Sequence, residues 1–210
     1  MSGTEATAGG ATPGVGGGGD GGSDPRVRMR RQDRSKDEAW IREYLHAATW
    51  GFLALVGDDG RPYVHSNLFV FDEERRCLWM HGYRAGRMRS SVDACSQVAF
   101  SAAGMGRLLP GATALEFSVE YASVVVFGTA RVVEDAEEAT HGLRKLMEKY
   151  APHLRYGEDY PGIPSQELER TAVYRLDIEA WSGKQKEAAE DFPGAYVLPE
   201  PPVPFPGRMG

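Results

Sequence analysis

Apolar positions in this chain fall mainly into short alternating runs, with only three stretches at helical spacing, and both patterns begin after roughly the first three dozen residues. Ser35 with Glu38 three residues on forms a capping box, which predicts a helix with Ile41, Leu45 and Ala48 on one stripe and Trp40 and Tyr44 beside it. Gly51–Val56 then reads as a short buried strand, and Asp58-Asp59-Gly60 as a hairpin turn. The returning strand, Pro62 to Phe71, places Tyr63, His65, Asn67, Phe69 and Phe71 on one face. A third strand runs from Cys77 to His81 and breaks at Gly82; Met88, Val92 and Cys95 then recur at helical spacing, so a short helix is expected to start at Gly86.

The second half repeats the theme. Gln97–Ser101 reads as a strand, Gly104–Thr113 as a loop, and Ala114–Glu134 as a long β run interrupted at Gly128. Asp135 and Glu138 cap a helix with Ala139, Leu143, Leu146, Met147 and Tyr150 on its buried stripe. A last strand spans Ala172 to Ile178, followed by Trp181-Ser182-Gly183-Lys184. Successive β runs joined by hairpin turns, with few helices, predict a mostly β fold with flanking helices (α+β), curled into a closed or nearly closed antiparallel barrel.

Composition sets the limits of that domain. Residues 1–34 form a glycine-rich and then basic arm expected to be disordered, 35–185 the folded domain, and 186–210 an acidic and then proline-rich irregular tail. A hydrophobic fraction of 41% and a net charge of −6 suit a soluble domain and argue against a general nucleic-acid binder. Cys77 and Cys95 are too few for a disulfide framework and lack metal-site spacing, so buried thiols are expected. No signal-peptide pattern or membrane-length apolar run is visible, so a cytoplasmic location is expected, with no membrane partner and no metal.

Candidate chemistry concentrates between Cys77 and Arg89. A strand that feeds a glycine turn and opens a helix aims free backbone N–H groups at one point, and Arg84, Arg87 and Arg89 make that point an anion site suited to phosphate. Gly104-Met105-Gly106 lacks the preceding strand and third glycine of a dinucleotide fingerprint. Glu116 and Glu120 are too loosely related to form a catalytic carboxylate pair.

Four segments in order carry a family resemblance: Pro62 to Asp72, Leu78 to Gly82 with Gly86-Arg87, Val119 to Gly128, and Arg175 to Lys184. Together they resemble the FMN-binding split barrels, the pyridoxamine 5′-phosphate oxidase-like proteins, and most closely their nitroimidazole-reductase branch. The resemblance implies an antiparallel split β-barrel and a set of cofactor-binding positions. On the second hairpin strand these are His65, Ser66 and Asn67, where the oxidases place an FMN-binding arginine at the position of His65 and a lysine at that of Val70. The oxidases' phosphate-binding serine-arginine-lysine becomes Gly86-Arg87-Met88, and the flavin-facing pair on the third strand becomes Met80-His81. Ser123 matches a flavin-facing polar residue, while Trp181 with Lys184 matches a segment that a second subunit lays along the flavin.

Loss of both lysines sets this chain apart from true pyridoxamine phosphate oxidases. The expected protein is an FMN-dependent oxidoreductase, a homodimer with shared cofactor sites. It would take electrons from a nicotinamide and reduce a small oxidised substrate of nitroaromatic or quinone type, with His81 as the catalytic candidate. The alternatives are a split barrel that uses a deazaflavin coenzyme or binds heme, and a non-catalytic flavin- or ligand-binding module.

Overall fold

A computed structural model describes residues 24–163 and 168–198. The glycine-rich run and the end of the proline-rich tail lie outside the described residues. The described part contains β1 (Ser35–Lys36), α1 (Glu38–Ala47), β2 (Gly51–Val56), β3 (Pro62–Asn67), β4 (Val70–Asp72) and β5 (Cys77–Tyr83). After these come α2 (Arg87–Ala94), β6 (Gln97–Leu109), β7 (Ser118–Val132), α3 (Ala136–Tyr150) and β8 (Thr171–Lys186).

All strand pairings are antiparallel, in the order β3-β2-β6-β7-β8-β5-β4, with β1 added beside β8. The two ends of this order, β3 and β4, are joined by Leu68 and Phe69 alone. The three steps from Asn67 to Val70 span only about 10 Å, so the sheet has to curl until its edges nearly meet. The result is a curled half-barrel, split along the seam between β3 and β4, with three flanking helices: an α+β fold. At the seam Tyr150 replaces the missing ladder. Its hydroxyl accepts from the Phe69 N–H at 3.0 Å and lies 2.7 Å from the Phe69 carbonyl, with the Thr49 carbonyl also in reach.

Two cores result. Leu53, Leu78, Met80, Phe100, Val124, Val126 and Tyr174 fill the barrel. Cys77, Trp79, Val173, Ala139 and Leu146 join α3 to the outside of β5 and β8. Lys149 fastens α3 to α1 by donating to the Ala48 carbonyl at 2.6 Å, and burial pushes its ammonium down to about 8. A Cβ at Gly128 would stand 1.9 Å from the Asp177 carbonyl oxygen, so β7 and β8 can meet there only with glycine. The neighbouring register shift pairs Phe127 with Ala180 and Gly128 with Ile178, which leaves Glu179 as the bulged residue.

Several local expectations change. Asp37, not Ser35, caps α1 by accepting from the Trp40 N–H, because Ser35 is drawn into β1 by pairing with Lys184. The stretch expected to be a loop from Gly104 stays in β6 through Leu109, held by its ladder to β7. Pro62–Phe71 is two strands that part at the seam, and Trp181–Lys184 lies inside the long β8. Within the basic arm, Asp24 to Arg34 forms two 3₁₀ turns packed on β8, where disorder was expected through Arg34.

Candidate functional site

The site starts at the N-terminus of α2. Gly86 is its N-cap at φ 117°, a left-handed conformation that an L side chain resists, and no side chain caps the first turn. The first N–H groups of α2 therefore face the loop with no protein cap. Of the loop's three guanidinium groups, two are already engaged. Arg84 pairs with Glu134 at 2.8 Å and bonds the Leu168 carbonyl, and Arg89 pairs with Asp93 at 2.7 Å and with Glu134. Arg87 has no carboxylate partner among the described residues, and its guanidinium lies 4.5 Å from the centre of the Tyr63 ring.

Strand β3 supplies the neighbouring wall. Its alternation puts Tyr63, His65 and Asn67 on the inward side, opposite Leu55, Leu53 and Gly51 of β2. Tyr63 Oη and His65 Nδ1 are 3.1 Å apart, which occupies one ring nitrogen and leaves Nε2 for another partner. Asn67 Nδ2 donates to the His81 carbonyl at 3.4 Å and approaches Met88 Sδ at 3.9 Å, tying β3 to β5 and α2. Beneath them Tyr174 is fully buried, and among the described residues its hydroxyl has no hydrogen-bond partner.

The sequence-derived positions fall into three places. His65, Asn67, Gly86, Arg87 and Met88 come together around the start of α2. His81 joins them through its carbonyl only, since its ring sits on the other face of β5, in an open depression with Tyr83 and Arg170. Protein packed around that ring lowers its pKa by desolvation, a shift that its open edge limits. Ser66, Ser123 and Lys184 lie on the outer face of the sheet; Ser123 and Lys184 are direct partners, and Lys184 Nζ is 5.4 Å from the Tyr121 ring centre.

Met80 and Trp181 point inward. Met80 is sealed in the barrel core, and Trp181 packs edge-on against Phe71 at 5.8 Å with the Arg76 guanidinium 4.4 Å from its ring centre. Within one chain, Trp181 therefore does not join Arg87. Cys77 is a buried thiol pushed up to about 12 by desolvation, and Cys95 is half-buried; both are free. No metal-holding group of side chains occurs among the described residues. Tyr63 was not singled out for a site role in the sequence, although its place two residues before His65 was the signal for it.

A half-barrel split at one seam, with an uncapped helix N-terminus beside it, defines the flavin-binding split-barrel class. The chain belongs to the pyridoxamine 5′-phosphate oxidase family, whose family model matches residues 37–185. It is a cofactor-binding, oxidoreductase-like module of that superfamily. No curated protein matches the chain.

Solved structures with the same fold include the flavocytochrome Anf3 of Azotobacter vinelandii, at 21% identity and TM-score 0.69 over 89% of this chain and 91% of that one. An FAD- and heme-binding protein of Mycobacterium smegmatis matches at 22% identity and TM-score 0.63, over 74% of each chain. A candidate 5-nitroimidazole antibiotic resistance protein of Bacteroides thetaiotaomicron VPI-5482 matches at 19% identity and TM-score 0.60, over 71% of this chain and 84% of that one.

Proposed function

We propose that this module holds a flavin-type cofactor, with FMN the first candidate, by its phosphate at the start of α2. One observation carries this reading: Arg87 is left without a carboxylate partner beside an uncapped helix N-terminus, while its neighbours Arg84 and Arg89 are neutralised. The residues present fit a phosphate, since a guanidinium fork and several N–H groups converge on one point. They fit a phosphate ester of pyridoxamine less well. The two lysine positions of the oxidases hold Val70, buried in the core, and Met88, whose thioether faces Asn67.

When bound, a flavin supplies two-electron chemistry, taking a hydride from a nicotinamide and passing it to a small oxidised substrate such as a nitroaromatic or quinone. The protein's part is placement. Tyr63 stacks on Arg87 and limits its rotamers, and Asn67 holds the β3–β5 seam at the site. His81 contributes its carbonyl to that seam, while its ring, on the other face of β5, is turned away from a flavin held at the start of α2.

A second reading has its own observation. The Tyr63–His65 contact occupies Nδ1 and leaves Nε2 for another partner, so His65 would be the residue to hold a heme iron, which would supply one-electron chemistry, and two structural neighbours are described as a flavocytochrome and a heme-binding protein. The purified chain separates the readings. It is expected to be yellow and to release FMN on denaturation. In the second reading, adding hemin to cofactor-free protein produces a Soret band that His65→Ala loses. A colourless protein that takes up neither FMN nor hemin would refute both.

The module is further proposed to work as a homodimer with shared sites. The outer face of β2 and β3 exposes Trp50 (52%), Phe52, Val56 and Val64 (59%), and continues across Ser101 to Val125. Apolar area of this kind marks an interface. Ser66, Ser123 and Lys184 lie on it, where they can meet a second copy. The Phe52→Glu/Val64→Glu double variant is expected to halve the mass measured by light scattering and to lose bound cofactor. A wild-type monomer that keeps its cofactor would sink the shared-site proposal.

A further inference from the structure

We propose that the ordered part of the basic arm closes a second ligand site, separate from the start of α2, which takes a small flat anion of the aromatic carboxylate class. Asp24 to Lys36 is anchored at three points. Arg26 reaches Glu179 at 2.8 Å, Arg34 donates to Tyr121 Oη at 2.8 Å, and Ser35 and Lys36 pair with Lys184 and Gly183. Between these anchors the chain arches over β8 and roofs a cleft of about 330 Å³. Trp181 and Ser182 line its floor, Ile41 of α1 and Met29 its sides, and Arg28 and Lys36 its rim. That volume lies at the lower end for small-molecule sites, enough for a body of one or two rings.

Charge decides the ligand class. Of the carboxylates at the cleft, Asp24 is paired with Arg26, and Glu38 with both Arg42 and Arg76. Arg28 and Lys36 have no carboxylate partner among the described residues, so the rim of a mixed polar and apolar cleft carries uncompensated positive charge beside Trp181. Trp181 is held in place by Phe71 and Arg76, so the floor is rigid before a ligand arrives. A flat apolar body can bury itself against Trp181, Ile41 and Met29 while its carboxylate meets Arg28 and Lys36. No residue is shared with the group around Arg87, so this inference stands apart from the flavin reading.

Calorimetric titration of the full chain with 2-naphthoate tests it. One site is expected, and Arg28→Ala/Lys36→Ala should weaken it by about tenfold or more, the loss of at least one charge-assisted hydrogen bond. The neutral 2-naphthylmethanol should bind about tenfold more weakly than the carboxylate for the same reason. Arg87→Ala should leave naphthoate binding unchanged, and the double variant should keep the wild-type melting temperature and cofactor content. Absence of binding to the wild-type chain would overturn the inference. So would equal binding by a folded double variant, or loss through Arg87→Ala.

Discussion

Arg87→Ala is expected to weaken FMN binding by roughly 1.5–3 kcal/mol, the range for hydrogen bonds to a charged group. That is about a ten- to 150-fold rise in Kd. The size of the effect follows from what surrounds the residue. Arg84 and Arg89 are committed to Glu134 and Asp93, so neither can take over without breaking an ion pair. The N–H groups at the start of α2 remain in the variant, which is why binding weakens and does not vanish. Arg87→Lys should fall between, because an ammonium keeps the charge but loses the two-pronged geometry and the stacking on Tyr63. Riboflavin, without the phosphate, should respond little to either change. Equal losses for FMN and riboflavin would remove Arg87 from the phosphate.

Asp72→Ala is expected to produce the largest loss of stability, about 3–5 kcal/mol, the cost of leaving a buried polar pair without one member. Asp72 is only 3% exposed, and its carboxylate accepts from Trp79 Nε1 at 3.0 Å, from the Arg75 N–H at 3.2 Å and from His141 Nε2 at 2.8 Å. It joins β4, β5 and α3 at one point, so removing it strands donors in both layers. For a domain of this size the melting temperature should fall by roughly 6–20 °C.

The pH dependence follows from the same contacts. Burial pushes the Asp72 carboxyl up, but the hydrogen bonds from His141, Trp79 and the Arg75 N–H outweigh it and hold the pKa below the ordinary carboxylate value. A carboxylate with a lowered folded pKa contributes stability that is present above its unfolded pKa of about 3.9 and is lost as pH falls through the folded value. The wild-type urea midpoint should therefore drop below about pH 4, and Asp72→Asn should flatten that acid limb. Parallel acid limbs in the two proteins would show that Asp72 does not govern it.

Much of the architecture was legible in order along the chain. The three main helices, the hairpin at Asp58–Gly60, the Cys77 strand and the helix opened by Gly86 follow from local spacing and turn chemistry, which act within a few residues. The start of α2 was visible for the same reason, since strand, glycine, arginine and helix are contiguous there. The Gly104–Leu109 part of β6 was not legible, because glycine and small residues read as loop until β7 supplies their ladder. Asp72 gave no hint of its role, because Trp79 lies seven residues away and His141 sixty-nine.

By itself the sequence determined the period of most elements and the place of the glycine-arginine turn that opens α2, which are properties of neighbouring residues. Only the tertiary structure decided which cations remain available there. Arg84, Arg87 and Arg89 are equivalent in the sequence, and it is the folding of Glu134 onto the loop and of Tyr63 beneath it that singles out Arg87. The same holds for Trp181 and the basic arm. Whether an aromatic faces a cofactor, a core or a cleft depends on strand register, and a shift of one residue along β8 would turn Trp181 to the opposite face. Register is set by the whole ladder from β2 to β8 and by the curl that brings β3 back to β4, so it emerges only when every strand is in place.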